Sequence, residues 1–162
     1  MALRTIVTEG DPILRKICKP VKEVNDRIRA TLDDMLETMR QAEGVGLAGP
    51  QVGILRRMFV VEVPTETDEE GNILKTAVYE LINPEIVETR GEVEEEEACL
   101  SLPGVEGVVK RPAYVKIKGL DRNGKPVEYE GEGLLAKAFC HENDHLDGIL
   151  FTDKARDIKH YE

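Results

Sequence analysis

The chain has 162 residues, of which 41% are hydrophobic and 33% are charged, and its formal net charge is −10. This length predicts a single domain over residues 1–162 that can bury its own core. The acidic balance argues against nucleic acid as a specific partner, because phosphate binding requires clustered lysine and arginine. No stretch approaches the roughly 18 apolar residues that a membrane span requires, so we expect no membrane association.

The number and spacing of the cysteines also indicate the cellular compartment. Cys18, Cys99 and Cys140 are too few and too scattered for a disulfide framework. The amino terminus lacks the apolar run of a secretory signal. We therefore expect a cytoplasmic protein whose thiols stay reduced and can bind a metal ion.

In chain order, residues 10–15 are expected to form a turn followed by extended chain, and residues 25–43 a helix. The apolar positions of that helix recur at helical spacing and predict a core-facing stripe. They are Ile28, Leu32, Met35, Leu36 and Met39. Asn25 or Asp26 can cap its start, and Gly44 can end it.

The middle of the chain reads as loops and strands. Residues 44–51 are too rich in glycine for a helix or strand interior, so they predict a loop whose backbone can closely approach another group. Residues 58–63 and 78–82 predict buried strands. Residues 64–76 predict an acidic surface loop between them. The charge run at residues 92–97 is typical of a solvated face or edge.

The last third predicts a hairpin and then a helix. Residues 114–120 alternate, Asn123 and Gly124 are a strong two-residue turn signal, and residues 127–130 return. A helix is expected over residues 132–146. Helices and antiparallel hairpins without βαβ alternation indicate the α+β class.

That last helix contains His141, Glu142 and His145. Residues four apart lie about 40° apart around a helix, so the two histidines share one face, one turn apart. Two imidazoles in this arrangement can bind one metal ion while the adjacent glutamate reaches a water beside it. A chance pattern on an amphipathic helix is the alternative. Only three histidines occur in the chain and two of them lie here, which favours the metal site.

A catalytic metal site of this kind needs a third protein ligand and an open position. In metzincin proteases a glycine and then a third histidine follow the second histidine of the motif. Gly148 fits the glycine position here, but the histidine position holds Phe151. Too few residues follow His145 for a further ligand-bearing helix. His160 lies in a tail expected to fray. The third ligand is therefore expected upstream.

Cys99 is the best upstream candidate, since it lies at the end of a charged strand and before a turn. Its ordinary role would be that of a small buried hydrophobic residue. Cys18 has no comparable setting. Cys140 points about 100° away from His141 around the helix, so it cannot easily share a metal with both histidines.

Three segments together resemble the signature motifs of peptide deformylase, in the same order and at similar separations. They are residues 44–51 (GVGLAGPQ), 97–101 (EACLS) and 140–148 (CHENDHLDG). Residues 10–15 and 82–85 are similar to the family as well, and the resemblance covers about residues 4–156. It implies antiparallel β-sheets packed around a central metal-binding HExxH helix.

The resemblance implies that Cys99, His141 and His145 are the metal ligands. The family's native metal is Fe²⁺, and Zn²⁺, Ni²⁺ or Co²⁺ can substitute. From the donor atoms alone, one thiolate and two imidazoles suit zinc or iron.

The resemblance also implies the catalytic roles. Glu142 would be the general base and then the general acid. Gln51 and the backbone N–H of Leu100 would stabilise the oxyanion, and Gly46 would lie beside the substrate backbone. Without the resemblance, Gln51 would be an ordinary loop residue and Leu100 an ordinary packed leucine.

The activity implied is hydrolysis of the N-formyl group from the N-terminal methionine of newly synthesised proteins, with release of formate. The partners implied are formyl-methionyl nascent peptides and, through a transient contact, the ribosome. Many members use a longer carboxy-terminal helix there, whereas this chain ends soon after Gly148. Lys154, Arg156 and Lys159 could form a small basic tip, but ordinary solvated side chains are the favoured interpretation.

Three motif positions depart from the family. Ala98 replaces the usual glycine, and it would introduce strain if the position requires a positive φ. Cys140 replaces a glutamine, and Gly49 replaces an alanine, which is expected to add only flexibility. Ala98 motivates an alternative, a deformylase-like paralogue that binds metal or peptide with weak or altered activity. A metalloprotease is less favoured because the downstream ligand is missing, and a purely structural metal domain is less favoured because Glu142 would have no purpose beside a closed site.

Overall fold

The computed structural model describes residues 2–161. Within them the chain forms two α-helices, α1 (Asp26–Gln41) and α2 (Gly133–Leu146), and eight strands. The strands are β1 (Gly46–Ala48), β2 (Met58–Thr67), β3 (Ile73–Arg90), β4 (Val93–Cys99), β5 (Leu102–Arg111), β6 (Tyr114–Leu120), β7 (Pro126–Glu132) and β8 (Arg156–His160). Short 3-10 helices cover Pro12–Arg15, Gly49–Val52 and Phe151–Asp153.

The strands form two antiparallel sheets. One has the order β1-β2-β3-β6-β7 and the other the order β4-β5-β8. Helix α2 contacts strands of both sheets, including β1, β2 and β7 of the first and β5 of the second. The predicted α+β class is therefore confirmed, and the helix that carries both histidines lies where the two sheets meet.

The larger sheet is covered on both faces, which explains the unbroken apolar run in β2. Successive side chains of a strand point to opposite faces. Phe59 and Val61 belong to the core cluster that contains Phe139 of α2. Met58 and Val60 belong to the cluster formed with the apolar stripe of α1. Each face of β2 therefore packs against a different helix.

Helix α1 follows the sequence prediction closely. The side chain of Asn25 accepts a hydrogen bond of 3.1 Å from the backbone N–H of Ile28, which confirms the predicted cap. Met35 and Met39 are fully buried. The helix ends at Gln41, slightly before the predicted range, because the chain turns there into the glycine-rich segment.

Two predicted loops are wrong. Residues 64–76 are mostly hairpin, with β2 and β3 extending into them and Asp68 accepting hydrogen bonds from Asn72 at the turn. The glycine-rich residues 44–51 contain the short strand β1, which pairs with β2. Strand pairing overrides local composition in both places.

Two further expectations about charged segments are wrong. Residues 92–97 are not simply a solvated face, because they form most of β4 and Glu97 is buried. His160 was expected in a frayed tail, but residues 156–160 form β8, in which His160 lies opposite Val105 of β5. Residues 10–15 contain a 3-10 helix rather than only a turn and extended chain. Among residues 2–161, no helix is long and apolar enough to cross a membrane.

Candidate metal centre

Three predicted ligands meet between β4 and α2. One ligand atom each from Cys99, His141 and His145 lies within 4.8 Å of the other two. The Cys99 Sγ is 3.4 Å from the His145 Nε2, and the two imidazole centroids are 5.0 Å apart. A register irregularity between Ala98 and Cys99 ends the regular pairing of β4 at this point. One sulfur and two imidazoles therefore converge in a mostly buried place.

The other sulfur and imidazole groups lie elsewhere. Cys18 and Cys140 are buried in the apolar cluster between α2 and the larger sheet. Burial raises the pKa of each thiol to about 11, so both remain neutral and poor metal ligands near pH 7. His160 is on β8, outside the group of three. The structure thus brings together the three residues that the sequence singled out.

The donor set fits a divalent transition metal. The His141 Nδ1 is 2.9 Å from the Glu97 Oε1, so this nitrogen is engaged and the Nε2 is left to bind a metal. A carboxylate behind a metal-binding histidine fixes the tautomer and the ring orientation. The Nδ1 of His145 is buried and has no hydrogen-bond partner. One sulfur and two nitrogen ligands suit zinc or iron, with one position left open.

A buried ionic network supports that carboxylate. The Arg111 guanidinium binds Glu97 through two hydrogen bonds of 2.8 and 2.9 Å. Its third contact, of 2.7 Å, is with the Oδ2 of Asp144 on α2. The side chains of Arg111 and Glu97 are each only 3% exposed. The network ties β5, β4 and α2 together directly behind His141.

The charges of the network set the ionisation of its members. Burial alone would raise the pKa of Glu97, but the hydrogen bonds from Arg111 and His141 lower it to about 2. Burial disfavours a charged His141, yet the nearby Glu142 and the bonds with Cys99 and Glu97 raise its pKa. Burial and the positive charges of His141 and Arg111 lower the pKa of His145. Glu97 is therefore an anion throughout the physiological range.

Glu142 lies beside the three ligand residues, and its carboxyl group has an unusual environment. It is 4% exposed, and its Oε1 is buried without a hydrogen-bond partner. Burial raises the pKa of this carboxyl to about 7. A group with that pKa can both accept and return a proton near neutral pH.

Two glycines of the first motif make room for this arrangement. A Cβ at Gly46 would lie 2.5 Å from the Glu142 Oε2, and a Cβ at Gly44 would lie 2.6 Å from the Leu100 Cδ1. The sequence predicted a close approach of this loop to some group. The structure identifies that group as the carboxyl of Glu142 at one glycine and the side chain of Leu100 at the other.

The side chain of Gln51 is 1% exposed and fixed at both ends. Its Oε1 accepts a hydrogen bond of 2.9 Å from the backbone N–H of Ala48. Its Nε2 donates to the Ser101 Oγ at 3.0 Å and approaches the Cys99 Sγ at 3.4 Å. The amide N–H groups of Gln51 therefore point toward the ligand cluster.

A cleft of about 340 Å³ opens in front of these groups. Its lining includes predicted site residues on every side, namely Gly46, Gln51, Cys99, Leu100, His141 and Glu142. The rest of the wall includes the apolar Val45, Leu134 and Ala138 and the charged Glu43, Glu96, Glu97 and Lys137. A concave apolar site with a few convergent polar groups is the usual form of a small-molecule or peptide-end site.

Comparison with known proteins decides the family. The model of the polypeptide deformylase family matches residues 3–161. The chain is 53% identical over 160 residues to the peptide deformylase of Lachnoclostridium phytofermentans, covering 99% of this chain and 93% of that one. It is 54% identical over 154 residues to that of Alkaliphilus metalliredigens, covering 95% and 97%. The chain belongs to the polypeptide deformylase family.

Solved structures of the deformylase family agree with this fold. The crystal structure of the Thermotoga maritima peptide deformylase has a TM-score of 0.85 and 39% identity, with 96% of this chain and 99% of that one covered. The Ehrlichia chaffeensis peptide deformylase in complex with actinonin has a TM-score of 0.89 and 38% identity, covering 97% and 91%. Metal-dependent removal of N-formyl groups is the known activity of the family.

The three departures from the family motifs have different consequences. Ala98 is not one of the described residues with a positive φ, so it adds no strain of that kind, and it belongs to the lining of the cleft. The expectation for Gly49 was incomplete. A Cβ there would lie 2.6 Å from the Ile54 oxygen and 2.8 Å from the Arg56 oxygen, so glycine is needed by packing. Cys140 is a buried core residue.

Sequence reasoning missed Arg111 and assigned no role to Glu97, Asp144 or Ser101. Membership of a motif was the available local signal, for Glu97 and Ser101 in the second motif and for Asp144 in the third. Arg111 pairs with Glu97 across the β4–β5 hairpin, and no local pattern indicates such a contact. These residues hold the ligands and the amide of Gln51 in place.

Proposed function

We propose that this chain, as one catalytic domain over residues 1–162, removes the N-formyl group from the N-terminal methionine of newly synthesised proteins. Cys99, His141 and His145 would hold one divalent metal ion, which we propose to be Fe²⁺. The observation that carries the proposal is the convergence of these three ligand atoms beside the buried, unpartnered carboxyl of Glu142.

A bound divalent metal would acidify a water molecule and polarise the formyl oxygen. The proton chemistry then depends on Glu142. Its carboxylate accepts the proton of the attacking water and later returns it to the leaving amine, so that formate and a free amino terminus form. The pKa of Glu142, raised to about 7 by burial, suits both steps near neutral pH.

The oxyanion of the tetrahedral intermediate would be stabilised by the amide of Gln51 and the backbone N–H of Leu100. The orientation of Gln51 supports this role, because its Oε1 is engaged by Ala48 and its Nε2 points toward Cys99. Such preorganised donors typically contribute about 10²–10³ to the rate each. The substrate backbone would pass along Gly46, in the wall of the cleft.

The first side chain of the substrate would lie against the apolar cleft wall formed by Val45, Leu134 and Ala138. Its partners would be formylated nascent peptides in the cytoplasm. Lys154, Arg156 and Lys159 each lie near an acidic side chain, at 3.0, 2.9 and 3.8 Å. We therefore propose only a transient ribosome contact.

The test is anaerobic release of formate from a formyl-methionyl tripeptide by protein loaded with Fe²⁺ or Ni²⁺. Oxygen must be excluded because a ferrous thiolate site is prone to oxidation. We expect rapid release by the wild type and a loss of about 10²–10⁴-fold in Glu142→Ala. Glu128→Ala, on an exposed position of β7, is the matched control and should be fully active.

A folded, metal-loaded wild type that releases no formate would contradict the proposal. It would favour the paralogue that binds metal or peptide without efficient turnover. Ala98→Gly and Cys140→Gln would then be the first reversions to make.

A further inference from the structure

Lys137 lies in the wall of the cleft, where it is the one lysine or arginine among the described lining residues, beside the acidic Glu43, Glu96 and Glu97. It is one turn before His141 on α2, on the same face as Leu134 and Ala138, and all of them line the cleft. Its side chain is only 19% exposed, and its Nζ is 3.3 Å from the Glu95 Oε2 of β4. No step of the proposed deformylation uses this ammonium group.

The contact between Lys137 and Glu95 repeats the one between His141 and Glu97. Two residues along a strand advance about 6.6 Å, and four residues along a helix advance about 6 Å. Helix α2 and strand β4 are thus joined by two parallel links, one behind the metal ligands and one a helical turn away. The backbone of Lys137 therefore lies one helical turn, about 6 Å along α2, before that of His141.

That distance matches the reach of the first side chain of a substrate. Five bonds separate the formyl carbon of a formyl-methionyl peptide from its sulfur, which gives an extended span of about 6 Å. If the formyl group is placed at the ligand cluster, the sulfur comes level with Lys137. The aliphatic stem of a lysine can cover the thioether while its ammonium stays at the polar edge.

The ammonium can donate to a second acceptor there without losing Glu95. It has three N–H donors, and the bond to Glu95 occupies one of them. Glu95 is 52% exposed, so the pair holds the ammonium only weakly. A thioether is a poor acceptor, whereas the oxygen of a sulfoxide is a strong one. An entirely apolar wall would penalise a buried sulfoxide that finds no donor.

We propose that Lys137 is a specificity-determining residue that extends the substrate class to formyl peptides whose first side chain ends in a hydrogen-bond acceptor. Peptides that begin with N-formyl methionine sulfoxide are the members of that class with the length of methionine. This proposal rests on the proposed deformylase function and concerns the same cleft.

The test compares three formyl tripeptides that differ only in the first residue: methionine sulfoxide, methionine and norleucine. Norleucine has the length of methionine and no acceptor, so it is the internal reference. The variants are Lys137→Met, which keeps the length and removes the donor, and Lys137→Arg, which restores a donor. Lys118→Met removes an exposed lysine paired with Glu85 and controls for the change in net charge.

We expect the ratio of kcat/KM for the sulfoxide to that for norleucine to fall about tenfold in Lys137→Met, as one charge-assisted hydrogen bond predicts. Lys137→Arg should recover most of the ratio, and Lys118→Met should not change it. The ratio of methionine to norleucine should be the same in all four proteins.

An unchanged sulfoxide ratio in a folded, metal-loaded Lys137→Met would overturn the assignment. A wild type that discriminates against the sulfoxide as strongly as Lys137→Met does would overturn it as well. If the wild type releases formate from none of the three peptides, the proposed function itself fails and this inference fails with it. The reference peptides distinguish those cases.

Discussion

At the scale of single residues, the environment of Glu142 suits proton transfer but lowers the stability of the folded protein. Its carboxyl is buried, one oxygen has no partner, and its pKa is raised from 4.5 to about 7. The folded protein therefore prefers the protonated form more strongly than the unfolded chain does. As pH rises from 4.5 to 7, the group progressively costs stability, and above pH 7 the cost is complete.

Replacing this carboxyl should stabilise the metal-free protein. Glu142→Gln should increase the free energy of unfolding by up to about 3 kcal/mol at pH 8 and by much less at pH 4, since one pKa unit corresponds to about 1.4 kcal/mol. Urea denaturation of both proteins at the two pH values measures the difference. Equal gains at pH 4 and pH 8 would show that ionisation of Glu142 is not the cause.

Gly46 provides the second test at this scale. In Gly46→Ala the new Cβ would lie 2.5 Å from the Glu142 Oε2, so the carboxyl must move. We expect kcat to fall about 10²-fold, because a displacement of about 1 Å from productive geometry has an effect of that size. The metal content should be unchanged, since no ligand is altered.

Gly44→Ala is the comparison variant for Gly46→Ala. Its new Cβ would meet the Leu100 Cδ1, the end of a side chain that can rotate away. Its loss of kcat should therefore be smaller. If the two variants lose the same activity, the special importance of the contact between Gly46 and Glu142 is wrong.

At the scale of elements, Arg111 joins β5 to β4 and α2 through one buried guanidinium. It has carboxylate partners on both sides, Glu97 and Asp144. Removing one member of a buried ion pair leaves a charge that water can no longer solvate. The stabilising effect of Glu97 is present above pH 4.5 and is lost as pH falls toward its folded pKa of about 2.

Arg111→Met should therefore destabilise the protein by about 3–5 kcal/mol at pH 7. Because His141 loses a well-anchored partner, metal affinity should also fall about 10–100-fold. The double variant Arg111→Met with Glu97→Gln should be more stable than Arg111→Met alone, since it no longer contains a buried Glu97 carboxylate without its partner. Unfolding by urea and competition with a chelator measure the two effects.

Arg90→Met is the matched control for that series. Arg90 is 65% exposed and pairs with Glu88 on the surface, so its loss should change stability by less than about 1 kcal/mol. A double variant no more stable than Arg111→Met would contradict the explanation from a stranded buried charge.

The same elements show how far the sequence could predict the molecule. Local periodicity predicted α1 and α2, and the spacing of His141 and His145 predicted their shared helix face, because these features depend on residues near one another. Cys99 was predicted by eliminating the other candidate ligands and by the resemblance to the family. The extension of β2 and β3 into an acidic segment was not predicted, since strand pairing decided it. The charge run around Glu97 suggested a solvated face because its partner Arg111 is distant in sequence.

At the scale of the whole molecule, the carboxy-terminal strand β8 belongs to the sheet that carries Cys99. The smaller sheet has only three strands, and β8 covers the outer edge of β5. Strand β4, which carries Glu97 and Cys99, is held in the sheet by β5 alone. A hairpin of two strands is marginally stable in water, and an uncovered edge invites pairing with other chains.

Ending the chain after residue 155 should therefore impair the metal centre, although no ligand is removed. We expect weaker metal retention on gel filtration, a lower urea midpoint and a tendency to aggregate. A milder variant is Gly104→Ala. Gly104 has a φ of +74° and a Cβ there would clash with the carbonyl oxygen of Tyr161, so the change should loosen only the end of β8.

The double variant Arg156→Ser and Lys159→Ser distinguishes the backbone pairing of β8 from the ion pairs that its side chains form. Both side chains reach across to Glu94 and Glu96 of β4, but all four groups are about half exposed. Such pairs contribute about 1 kcal/mol or less each, so this variant should retain its metal. If it loses metal as readily as the truncated chain, the ion pairs rather than the backbone pairing of β8 support the site. If the truncated chain retains metal like the full chain, β4 and β5 need no third strand to hold Cys99 in place.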